Sequence, residues 1–95
     1  MRTRRTWTTH ELESALNSKG FVALEAGHIW YRLHDGGKRT HIRTKISHGI
    51  REYGVELLKN VAWQMHLTHR ELDDFVVCPL TREGYIALMR ERGHL

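Results

Sequence analysis

Residues 28–34 alternate in character with a period of two. Ile29, Tyr31 and Leu33 are apolar, and His28, Trp30, Arg32 and His34 stand between them. That period predicts a strand with one buried and one open face. Asp35-Gly36-Gly37 reads as a tight turn, and 38–43 as the returning strand of a hairpin. On it Thr40 and Ile42 join the apolar face, while Arg39, His41 and Arg43 join the polar one. Upstream, Phe21-Val22-Ala23-Leu24 is a short apolar run that predicts a further strand, with Glu25-Ala26-Gly27 turning into the hairpin. The polar stretch 44–49 predicts a loop.

Elsewhere the apolar positions recur at helical spacing. Thr8-Thr9-His10-Glu11 fits a capping box, with Glu11 reaching back to the N-cap. Leu12, Ala15 and Leu16 follow, and Gly20 supplies a stop, so a first helix is expected at about 9–18. Val55, Leu58, Ala62 and Met65 form one stripe, with Leu57 and Val61 beside it, giving a second helix at about 53–65. Thr68-His69-Arg70-Glu71 is another capping box and opens a helix at about 69–77, which Pro79 closes. Thr81 can cap a last helix at about 82–91, carrying Tyr85, Ile86, Leu88 and Met89. The expected order is α-β-β-β-α followed by two more helices. Three strands bury one face most economically under helices, which predicts an α+β two-layer sandwich with a C-terminal helical extension. The chain reads as one domain over 1–95, with a core at about 9–66.

Charge changes this picture more than composition does. Hydrophobic residues make up 40% and charged residues 27% of 95, ordinary values for a soluble globular protein. The formal charge of +4 is concentrated. Arg32, Lys38, Arg39, Arg43, Lys45 and Arg51 face only Asp35 between residues 28 and 51. A solvated charged face is one reading of that concentration; a polyanionic partner is the other, and it suits the local excess better. No apolar run is long enough to span a bilayer, and the basic N-terminus lacks the apolar stretch of a signal peptide. With Cys78 the only cysteine, no intrachain disulfide can form, and a cytoplasmic location is expected.

The eight histidines lack metal-ligand spacing: there is no His-Glu-x-x-His, no cysteine pair, and no acidic cluster in the basic segment. Neither a metal nor any other cofactor is expected. Cys78 reads as a small buried hydrophobe, since Asp73, Asp74 and Glu83 around it would disfavour a thiolate. His28 follows Gly27, where the backbone can turn tightly, and opens a strand on the basic face. RNA cleavage needs a base for the 2′-hydroxyl, an acid for the leaving 5′-oxygen and cations for the phosphorane charge. An imidazole titrates in the range this requires. His28 is therefore the candidate acid/base, and Arg32, Arg39, Arg43, Lys45, His41 and His48 are candidate phosphate contacts. The alternative is that His28 only contacts phosphate. Trp30 could stack on a base, cover apolar surface under the last helix, or anchor a protein partner.

Gly20-Phe21, Gly27-His28 with an aromatic strand, the Gly-containing turn, the basic strand and the later Ser47-His48 resemble the HicA toxin family. The tail, Leu57-Leu58 through Leu67-Thr68, Glu71-Leu72, Asp74-Phe75-Val76 and Cys78-Pro79-Leu80, resembles a longer branch of that family. The likeness covers about residues 10–90. It implies a double-stranded-RNA-binding-domain-like fold and an mRNA interferase, the toxin of a toxin–antitoxin system. It further implies an endoribonuclease with a catalytic histidine at His28, acting on mRNA and blocked by a HicB-type antitoxin in a hetero-oligomer. The rival readings are a non-catalytic RNA-binding module and a protein-interaction domain that uses the basic, Trp30-containing face.

Overall fold

In the computed structural model, the described residues are 6–26, 28–47, 49–77 and 79–95; the side chains of Glu25, Ala26 and His28 lie outside the description. Cys78 and His48 also lie outside the described residues. The chain runs β1 (Trp7–Thr8), α1 (Thr9–Ser18), β2 (Phe21–Ala26), β3 (His28–Asp35), β4 (Lys38–Ile46), β5 (Glu52–Tyr53), α2 (Val55–Gln64), α3 (His69–Val77) and α4 (Arg82–Glu91). This is a small α+β domain, with β2-β3-β4 as an antiparallel sheet and the four helices packed against it.

Local chemistry accounts for the boundaries. In α1 the Thr8 hydroxyl accepts from the Glu11 amide at 3.1 Å, and the Glu11 carboxylate accepts from the Thr8 amide at 3.0 Å. The same reciprocal pair forms at α3, between Thr68 and Glu71, at 3.1 and 2.8 Å. At α4 the Thr81 hydroxyl accepts from the Gly84 amide. Each box satisfies two amides that a helix start leaves without intrahelical partners. The β3–β4 turn places Gly36 and Gly37 at φ +60° and +79°, the left-handed pair that a two-residue hairpin turn demands.

The helices cover one face. Phe21, Tyr31, Leu33, Ile42 and Ile46 point from the sheet into a core shared with Leu12, Leu16, Leu58, Phe75, Tyr85 and Met89. Phe21, Phe75 and Tyr85 meet edge-on or tilted, with centroids 5.4–5.9 Å apart. Three polar anchors tie the layers together. The Trp7 indole donates to Asp73 Oδ1 at 2.8 Å. The buried Lys19 ammonium donates to the carbonyls of Phe75 and Leu80, at the end of α3 and just beyond it. There it meets the negative end of the helix dipole and lies 4.8 Å from the Phe75 ring centroid. The Tyr31 hydroxyl donates to Glu13 Oε2 on α1.

Two features depart from the sequence expectation. Residues 44–46 are strand rather than loop, because Thr44 and Ile46 continue the inward alternation and are fully buried. The Gln64 side-chain oxygen accepts from the Thr44 hydroxyl at 2.7 Å and from the Lys45 amide at 3.1 Å, so this polar residue finishes the strand edge. The short β1–β5 pair, Trp7 opposite Tyr53, was also not foreseen; two-residue strands carry no periodicity to detect.

Candidate nucleic-acid interface

The sheet face turned away from the helices is assembled by register. Trp30 lies opposite Lys45, Arg32 opposite Arg43, and His34 opposite Arg39. Between Arg32 and His34 the register shifts, so β4 carries two more residues than β3 over that stretch. Thr40 bridges the irregularity. Its hydroxyl donates to the Leu33 carbonyl at 2.9 Å and accepts from the Ile42 amide at 3.2 Å, while its carbonyl accepts from Arg32 Nη1 at 2.9 Å. Bulges increase local twist and re-aim side chains. Here the shift brings His34 and Arg39 back into opposition and leaves His41 exposed beside the exposed Arg43.

The predicted cations therefore share one surface but play different parts. Arg39 and Arg43 are exposed, and Lys45 is half-buried. Arg32 is half-buried and spends one N–H on the Thr40 carbonyl, which fixes its guanidinium at the centre of the face. Arg43 stacks over Trp30, with its guanidinium carbon 4.4 Å from the ring centroid. A contact of this kind contributes about 0.5–1 kcal/mol at an exposed site. It also places a planar cation over one side of the indole. Trp30 lies on the open face, so it does not cover apolar surface under α4 as one sequence reading allowed. His28 opens β3 at the register position opposite Ala26, two residues before Trp30.

Sequence reasoning missed three residues. Val22 and Leu24 of β2 lie opposite Arg32 and Trp30 and are 48% and 58% exposed. The open face is thus half cationic and half apolar. Because the run 21–24 is apolar throughout, it gave no alternation from which to assign faces. The third is Trp63 of α2, 79% exposed; its position off the apolar stripe of that helix was the available signal.

His66 lies outside the open face, at the end of α2. Its ring stacks on that of His94, with centroids 3.7 Å apart. Its pKa is held below the ordinary imidazole value by partial burial first, then by the nearby His94 and His41. Among the described residues no group of three His, Cys, Asp or Glu side chains is arranged to hold a metal ion. No helix among them is long and apolar enough to cross a membrane. Compared with protein-family models, curated proteins and solved structures, the chain has no significant match.

Proposed function

We propose that this chain is an RNA-cleaving toxin of the HicA kind, an endoribonuclease that holds mRNA against its open sheet face in the cytoplasm and needs no metal. The observation that carries this reading is the ordered set of cations on that face: Arg32, Arg39, Arg43 and Lys45, gathered around Trp30 by strand register. Phosphates bind where guanidinium and ammonium groups project together from a rigid element. Planar groups such as the Trp30–Arg43 stack suit unpaired bases. The α-β-β-β-α order with one face left open supports a double-stranded-RNA-binding-domain-like arrangement.

His28 is the proposed acid/base. It would take the proton from the 2′-hydroxyl as that oxygen attacks phosphorus, and a proton must reach the departing 5′-oxygen. Arg39, Arg43 and Lys45 would hold the phosphate and offset charge developing on its oxygens, with Arg32 supporting the face and His41 and His48 lending further contacts. Replacing His28 by alanine should lower cleavage of RNA about 10²–10⁴-fold with an unchanged circular-dichroism melt. It should also relieve growth arrest on expression. Cleavage at the wild-type rate would reject the catalytic role and leave a non-catalytic RNA-binding module.

A protein contact on the same face is favoured by a separate observation, the exposed Val22 and Leu24 beside Trp30. Apolar residues next to an aromatic and arginines make the composition of an interface centre. A HicB-type antitoxin covering this patch would exclude RNA from the cations beside it. If the face serves protein binding alone, the domain has no affinity for RNA.

A further inference from the structure

Where β4 leaves the sheet, an open groove of about 350 Å³ lies between that strand and α2, walled by Lys45, Ser47, Tyr53, Asn60, Trp63 and Gln64. Its wall is braced by the Ser47 amide, which donates to the Tyr53 hydroxyl at 2.7 Å. Trp63 is the most exposed of the large hydrophobic side chains among the described residues, at 79%. The buried side of its helix is made by Leu58, Val61 and Ala62. Unlike Trp30, which has Arg43 over its ring, Trp63 meets no aromatic ring or cation among the described residues.

The polar groups beside it are directional. Gln64 accepts two hydrogen bonds, one of them from the Lys45 backbone amide, which can only donate. The side-chain oxygen must therefore face the strand, and the two amide N–H donors remain for the groove. Asn60, one helical turn earlier, is exposed and brings both donors and an acceptor. Lys45 belongs to two places at once. It lines this groove, and its register position opposite Trp30 belongs to the cationic face. A strand of nucleic acid held along Arg39 and Arg43 meets Lys45 next and then the groove.

We propose that this groove is a nucleobase subsite. An unpaired base stacks on Trp63 and accepts hydrogen bonds from the Gln64 and Asn60 amides, while Lys45 holds the adjoining phosphate. The inference rests on the RNA reading above and adds to it a demand for single-stranded substrate, because a paired and stacked base cannot lie flat on an indole.

The test is fluorescence anisotropy with a short single-stranded 2′-O-methyl oligoribonucleotide, which lacks the hydroxyl needed for cleavage. It compares the wild type with Trp63→Ala, Trp63→Phe and the double variant Arg39→Ala/Arg43→Ala. Trp63→Ala should weaken binding about tenfold, with an unchanged salt slope and an unchanged melt; Trp63→Phe should restore most of the affinity, since stacking needs only an aromatic face. The arginine double variant should lower both affinity and slope. If Trp63→Ala binds as the wild type does while the arginine variant is weakened, the subsite is overturned and the sheet-face reading stands. Should the wild type not bind the oligonucleotide at all, both fall.

Discussion

The two faces of the β2-β3-β4 sheet are built by the same three strands, residue by alternate residue, and share almost nothing else. On one side Phe21, Tyr31, Leu33, Ile42 and Ile46 are buried under four helices. On the other, Val22, Leu24, Trp30, Arg43 and Lys45 meet solvent or each other. Apolar burial is what stabilises the fold, so the first set carries stability. A surface of cations with exposed apolar neighbours contributes little to folding, and arginines lying across from one another repel. A partner that supplies negative charge, such as the RNA proposed above, would relieve that repulsion.

The sharpest way to break this comparison uses neighbouring positions on β2. Phe21→Ala should destabilise the protein by about 3–5 kcal/mol, because it removes a ring packed between Phe75 and Tyr85. Leu24→Ala, three residues further along the strand and on the other face, should change stability by no more than about 0.5 kcal/mol. Urea denaturation measures both, and equal losses would mean that the open face is part of the core. Of intermediate size is the arginine effect. In Arg39→Ala/Arg43→Ala the logarithmic dependence of RNA affinity on salt should fall by about 0.7–0.9 per cation removed. Stability should drop by no more than about 1 kcal/mol from the lost Arg43–Trp30 stack. An unchanged slope would place the phosphate contacts elsewhere.

The smallest expected effect belongs to His66, where the helical layer comes near His41 of the sheet. Its folded pKa lies below the ordinary value of 6.5, so between those two pH values the unfolded chain binds more protons than the folded one. Stability should therefore fall as pH drops from 6.5 to the folded pKa, then level off as far as this group is concerned. Thermal melts of wild type and His66→Gln across that range check this; identical pH profiles would show that the His66–His94 stack does not sense protonation.

How much of this was legible depended on how strongly each segment signals locally. The ranges of α1, α3 and α4 were readable because a threonine cap stands at the start of each, and the caps form as the spacing implied. The alternation in β3 gave its two faces correctly. The end of β4 was not readable, because Thr44 and Lys45 look like loop until Gln64, 19 to 20 residues on, supplies the bonds that keep them extended. Face assignment on β2 failed for a related reason: an all-apolar run has no period, and only the tertiary partner decides which side is buried. The candidate cations were found from charge density and strand alternation, but the register that opposes them, and the bulge between Arg32 and His34 that the Thr40 hydroxyl bridges, left no signal in the sequence.

Trp7 and Lys19 find their partners far along the chain: Asp73 lies 66 residues from Trp7, and Phe75 and Leu80 lie 56 and 61 residues from Lys19. Ribosomes release a chain from its N-terminus, so both residues emerge long before the groups that complete them. Until residue 73 has left the exit tunnel the indole N–H lacks Asp73, until residue 80 the ammonium lacks one of its two carbonyls, and until residue 85 Phe21 lacks the second ring against which it closes. The sheet, which ends at Ile46, is fully synthesised by then, cations included, yet it has no finished layer to lie on. Translation itself thus imposes a delay, and the open sheet face gains its backing layer only after α3 and α4 have emerged.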